Sequence, residues 1–163
     1  MDTRIFVHVH DLVMKGHTSI TIVTVDTDVV VISISENLNL SDHGLVEMWV
    51  EFGSCVNRKW LLIHSFCFSL GCEKCDAILF WYADTGCDTI TAWKPWNVFP
   101  QVTSVFRKLS IGQNYTVDDF SKFRRFICIL YKRTSVHDNV NKCLVRTQLV
   151  HVIEQVKCGI SQL

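Results

Sequence analysis

The chain has 163 residues, 48% of them apolar, and its sixteen Lys/Arg balance its sixteen Asp/Glu. Mean hydropathy is +0.22, high for a chain in water, yet no apolar run approaches the roughly 20 residues of a membrane-spanning helix; the longest, residues 20–34, is broken by Asp26 and Asp28. Met1 is followed by Asp2 and Arg4 rather than by a basic and then apolar leader, so the expectation is an intracellular protein, nuclear or cytoplasmic, with a real core and no membrane partner.

Residues 2–15 place Ile5, Phe6, Val9, Leu12 and Val13 on one helical stripe, and Gly16 ends it. Residues 19–25, rich in Thr, Ile and Val, read as a strand. Asp28 can cap the next segment, but residues 29–38 are so β-branched that pattern alone leaves strand and helix both open. Residues 37–44 are polar and read as a loop. Residues 46–52 alternate like a strand, 53–58 form a turn, and 60–63 return, which makes a hairpin. Two short helices come next, 64–70 and 73–83, separated by Gly71. Residues 92–109 are helical in tendency, with interruptions at Pro95 and Pro100. Asp118 or Asp119 can start a helix over residues 120–132, whose apolar face is Phe123, Phe126, Ile127 and Leu130 and whose other face offers Lys122, Arg125 and Lys132. A last helix is expected over residues 139–156.

Chemistry-bearing residues concentrate where the first strand ends. T-V-D-T-D-V-V-V puts Asp26 and Asp28 at its carboxyl end, the edge at which open α/β sheets bind ligands. Carboxylates two residues apart can share one hard divalent cation, and Asp88 comes just after a second apolar run. The plain alternative is a solvated turn with an Asp capping the next helix. The eight cysteines read as reduced thiols in an intracellular chain. Cys72 and Cys75 form C-x-x-C, with Cys67 upstream, but a zinc site needs four ligands and the rest could come only from scattered groups such as His64 or Cys55. Buried or incidental thiols are the simpler reading. Charge is lopsided: residues 1–90 carry five Lys/Arg against twelve Asp/Glu, and residues 91–163 carry eleven against four. That pattern fits an acidic metal-binding half beside a phosphate-holding half, and equally two oppositely charged faces docked together. Trp81, Trp93 and Trp96 could stack on bases, although core positions are the expectation.

Taken together, Asp2-Thr3-Arg4, residues 24–31, A-D-T-G-C-D-T at 83–89, Ala92-Trp93-Lys94, 96–102 and F-I-C-I-L-Y-K-R-T-S at 126–135 resemble, in order and spacing, a known family. It is the internal nuclease region of the flap-endonuclease/XPG-type branch of the PIN-like fold, and in wording the match is to animal proteins associated with mobile elements. The resemblance covers residues 2–146. It implies a partial PIN-like three-layer α/β fold with a short, mainly parallel sheet, a hairpin and a helical C-terminal part, divided as a nuclease core over 1–91 and an extension over 92–163. It also implies a site in which Asp2, Asp26, Asp28 and Asp88 hold Mg2+ or Mn2+ for hydrolysis of a phosphodiester in DNA or RNA, with Lys94, Lys122, Arg125 and Lys132 on the nucleic acid. Against the family pattern, the first acid of an E-x-D/E pair and a Gly- and Lys-rich stretch before Ala92 are missing. The expectation is therefore a truncated or divergent nuclease-like protein of weak or no activity, the alternative being a non-catalytic nucleic-acid- or protein-binding module on the same scaffold. Strands lost from the sheet would leave an unpaired edge and uncovered apolar surface, and hence a homo-oligomer or a partner completing the sheet.

Overall fold

The computed structural model describes residues 4–85 and 89–131. They build a mixed α/β protein, largely helical, around one small three-stranded sheet. The chain divides into two compact units: residues 1–87 with 106–114, and residues 88–105 with 115–163.

In the first unit, helix α1 (Arg4–Met14) buries Phe6, Val9 and Val13, one stripe at helical spacing. It ends where expected: the Gly16 amide donates to the Val13 carbonyl and the His17 amide to that of Leu12, a pairing that Gly16 permits with its φ of 90°. Strand β1 (Ser19–Thr24) is next. Helix α2 (Thr27–Asp42) settles the ambiguity of the β-branched run in favour of helix. Its buried residues Val31, Ile32, Ser33 and Ile34 are consecutive and so wrap most of the way round the axis. Such a helix is held by tertiary burial and not by propensity. The loop expected over residues 37–44 is corrected by the same element. Asn37 and Leu40 stand on the inward face and are buried, so the helix runs on to Asp42.

Strands β2 (Glu47–Phe52) and β3 (Lys59–Leu62) complete the sheet in the order β1-β2-β3. β1 and β2 are parallel and in register from Ser19 opposite Glu47 to Thr24 opposite Phe52, while β2 and β3 form the antiparallel hairpin. With one pair of each kind the sheet is mixed, not mainly parallel. Ile20, Ile22, Met48 and Val50 point to one face and are buried; α2 and helix α3 (Ile63–Leu70) pack against β2. On the opposite face Trp60 sits edge-on to Trp49 and Arg58 donates to Glu51 at 2.6 Å. There Val23 is 63% exposed. Helix α4 (Cys72–Thr85) packs on α2 and α3 through Cys75, Ala77, Ile78, Trp81 and Tyr82. Phe106 joins this core beside Phe80.

The second unit contains helix α5 (Thr89–Val98), the start of helix α6 (Thr103–Ser110) and helix α7 (Val117–Tyr131). Pro95 lies inside α5 and does not interrupt it; the break falls at Phe99 and the 3-10 turn Pro100–Val102. Trp96 is fully buried, its indole N–H donating to Thr103 Oγ1 at 2.9 Å. With Trp81 also buried, two of the three tryptophans considered for base stacking are core residues, and Trp93 lies edge-on to Trp96. On α7, Phe123, Phe126 and Ile127 are buried as their spacing requires. The cap of α7 differs from expectation. Thr116, not Asp118 or Asp119, stands at the start, its amide and hydroxyl both donating to the Asp119 carboxylate while its Oγ1 accepts from the Asp119 amide. The helix expected over 139–156 lies outside the described residues.

Candidate metal-binding edge

Two of the four carboxylates expected at the site are brought together at the carboxyl end of β1. The chain leaves the strand at Thr24, whose Oγ1 accepts from the Asp26 amide at 3.0 Å. Asp26 is extended, with φ −98° and ψ 121°, and its Oδ1 accepts from the Asp28 amide at 2.9 Å. Asp26, not Asp28, is therefore the N-cap of α2, and Asp28 stands in the first turn. The plain reading of the motif, an Asp capping the next helix, is thus realised in full. Both carboxylates lie at the amino end of α2, where the exposed amides and the helix dipole offset part of their mutual repulsion. Asp26 is exposed and Asp28 half-buried. The neighbouring end of β2 is tied in, since the Gly53 amide donates to the Thr24 carbonyl.

Asp2 and Asp88 lie outside the described residues. Among the described residues no group of three His, Cys, Asp or Glu is placed to hold a metal ion. Hard oxygen donors in pairs nevertheless suit Mg2+ or Mn2+, which keep several waters and are often held by one or two carboxylates together with substrate phosphate. Glu51, near the same edge, faces the other side of the sheet and is taken by Arg58.

Cys67 and Cys75 are buried where α3 meets α4, and Cys72 is exposed. Cys67 Sγ donates to the Ile34 carbonyl at 3.5 Å and Cys75 Sγ to the Cys67 carbonyl at 3.7 Å. Their mutual hydrogen bond, and then burial, raise the Cys67 thiol well above its ordinary range, while the same hydrogen bond lowers that of Cys75.

Three of the four basic residues expected on nucleic acid are described, and they lie on α5 and α7. Lys94 is exposed on α5. Lys122 pairs with Asp118 one turn away at 2.6 Å, and that hydrogen bond raises its pKa. Arg125 is half-buried on α7, and Lys132 lies outside the described residues. Arg107, read as part of the basic half, pairs with Asp76 of α4 at 2.8 Å. One group missed by sequence reasoning is Asp84, in the last turn of α4, whose carboxyl is pushed up to about 6 by burial. Nothing in the local sequence marks it.

The described residues thus define a mixed α/β protein with a two-carboxylate turn at the carboxyl end of a parallel strand pair. No protein-family model, curated protein or solved structure matches the chain.

Proposed function

We propose that this chain is a truncated or divergent PIN/flap-endonuclease-like protein whose Asp26–Asp28 turn binds a divalent cation, with phosphodiester hydrolysis as its ancestral reaction and weak or no activity now. The observation that carries the reading is the seating of both carboxylates on the connection between β1 and α2, at the carboxyl end of a strand paired in parallel with β2. Further support is the order strand, helix, hairpin, two helices. Asp26 would bind through the oxygen that Asp28 N–H leaves uncommitted, and Asp28 would add a second hard donor. A cation held there supplies charge stabilisation and an acidified water for attack on phosphorus.

The cap dictates the variant for the test, because Asn caps as well as Asp but carries no charge. Calorimetric titration with Mn2+ is expected to give saturable binding by the native chain and none by Asp26→Asn/Asp28→Asn. Equal heats from both proteins, both folded by circular dichroism, would sink the site. A second reading, a binding module without chemistry, is favoured by one specific observation. The Asp26 carboxylate already has a structural task, which accounts for the turn without a metal.

A further inference from the structure

We infer that β1 is a docking edge for a second copy of this chain, joined antiparallel about a two-fold axis that passes between Thr21 and its copy. The surface is distinct from the carboxylate turn, and the inference stands without any metal at Asp26 and Asp28.

The edge of β1 away from β2 can be read residue by residue. The Thr18 carbonyl accepts from the Val46 and Glu47 amides, and the Thr24 carbonyl accepts from Gly53, so the backbone groups of these residues face β2. Backbone groups in a strand alternate sides, and the paired register is unbroken between those two points, so Ile20 and Ile22 face β2 as well. The amides and carbonyls of Ser19, Thr21 and Val23 therefore point away from the sheet, where no strand among the described residues pairs with them. All three residues are exposed, and Val25 just beyond is 69% exposed.

Exposed edges are ordinarily blunted by charge, proline, a bulge or short length. The opposite edge of this sheet has those devices: β3 is four residues long, opens on Lys59 and comes directly after Arg58. β1 has six residues, none charged, and no proline or glycine. Such an edge invites a strand, and the sequence of β1 is complementary to itself. A two-fold axis perpendicular to the sheet makes the joined strands antiparallel and keeps each face on its own side. With the axis at Thr21, Thr21 opposes its own copy and Ser19 opposes Val23, each of these pairs exchanging both of its backbone bonds. Any symmetric shift leaves one or more of the three outward residues unmatched. In the same register Ile20 opposes Ile22 on the helix-covered face, and Thr21 meets Thr21 on the open face, both favourable cross-strand pairs. No like charges meet. One strand pair buries less than a standard stable interface, so the dimer is expected to form with concentration.

Light scattering of the full chain across a concentration series is the test. The expected result is a rise from 18.8 kDa to twice that mass. Hydrogen exchange should then protect the Ser19, Thr21 and Val23 amides only in the concentrated sample, with Ile20 and Ile22 protected in both. Thr21→Pro removes an outward N–H that no described sheet bond uses, and is expected to leave a monomer with unchanged circular dichroism. Should that variant not fold, Thr21→Lys places two positive charges opposite each other, and its dimer should be lost at low salt and partly restored at high salt. A native chain that stays monomeric at every concentration would overturn the inference and leave the edge to a foreign strand. So would a dimer that survives both substitutions, since it would use another surface.

Discussion

At Asp26 one side chain carries two separable properties, hydrogen-bond acceptance and charge. Its Oδ1 takes one of the amides left open at the start of α2. Replacement by Ala is expected to lower stability by about 1 kcal/mol, and replacement by Asn by only a few tenths; urea unfolding of the two variants measures the difference. Asp84 presents the opposite case, a carboxyl whose charge is disfavoured. Its pKa of about 6 exceeds the ordinary 3.8, so the folded chain binds the proton more tightly than the unfolded one. Ionisation therefore costs nothing below pH 4, and the cost grows as pH rises from there and is complete above 6. Asp84→Asn should match the native chain near pH 4 and exceed it at pH 7.5 by about 1–2 kcal/mol, the upper limit being reduced because the group is only partly buried. Equal gains at both pH values in chemical denaturation would show that charge is not the cause.

Elements in this chain are set as much by their ends as by their interiors. α2 ends with the Gly44 amide donating to Ser41 and that of Leu45 to Leu40, and Gly44 has φ 107°. The hairpin turn depends on Gly53, with φ 110°, for a second reason: an added Cβ would lie 2.6 Å from the Asn57 carbonyl oxygen. At Gly44 an added Cβ meets nothing within 4 Å. Gly44→Ala therefore carries only backbone strain, about 1 kcal/mol, while Gly53→Ala adds a clash with rigid backbone and is expected to cost about 2–4 kcal/mol. Thermal unfolding of the two variants should rank them in that order. These elements also show which local signals decide. The stripe of α1, the alternation of β2 and Gly71 between α3 and α4 were legible, because each is a pattern of period or a backbone requirement. The extent of α2 was not, because Asn37 and Leu40 are buried only by neighbours distant in sequence.

On the scale of the molecule, the charge asymmetry of the two sequence halves softens once the compact units are drawn. The first unit carries seven Lys/Arg against eleven Asp/Glu and the second nine against five. Arg107 and Lys108 have moved to the acidic side, where Arg107 serves Asp76. The second unit is left modestly basic. If this chain holds nucleic acid as a module without chemistry, fluorescence anisotropy with a labelled oligonucleotide should show binding that persists in chelator. Its affinity should fall several-fold between 50 and 200 mM salt, scaled down from the steeper loss typical of proteins with many phosphate contacts. Binding that needs Mn2+ would favour the carboxylate turn instead, and none at low salt would remove the module. What the sequence determined by itself was local: where the first strand ends, that two carboxylates stand there, where the glycines stop the helices, and that the hairpin turns back. Tertiary structure alone decided that residues 29–34 are helix, that Asp26 and not Asp28 is the cap, that the sheet is mixed, and that no strand among the described residues pairs with the outer edge of β1. The reason is physical: capping, turning and alternation act over a few residues, whereas burial and strand pairing are set by residues that meet only when the chain has folded.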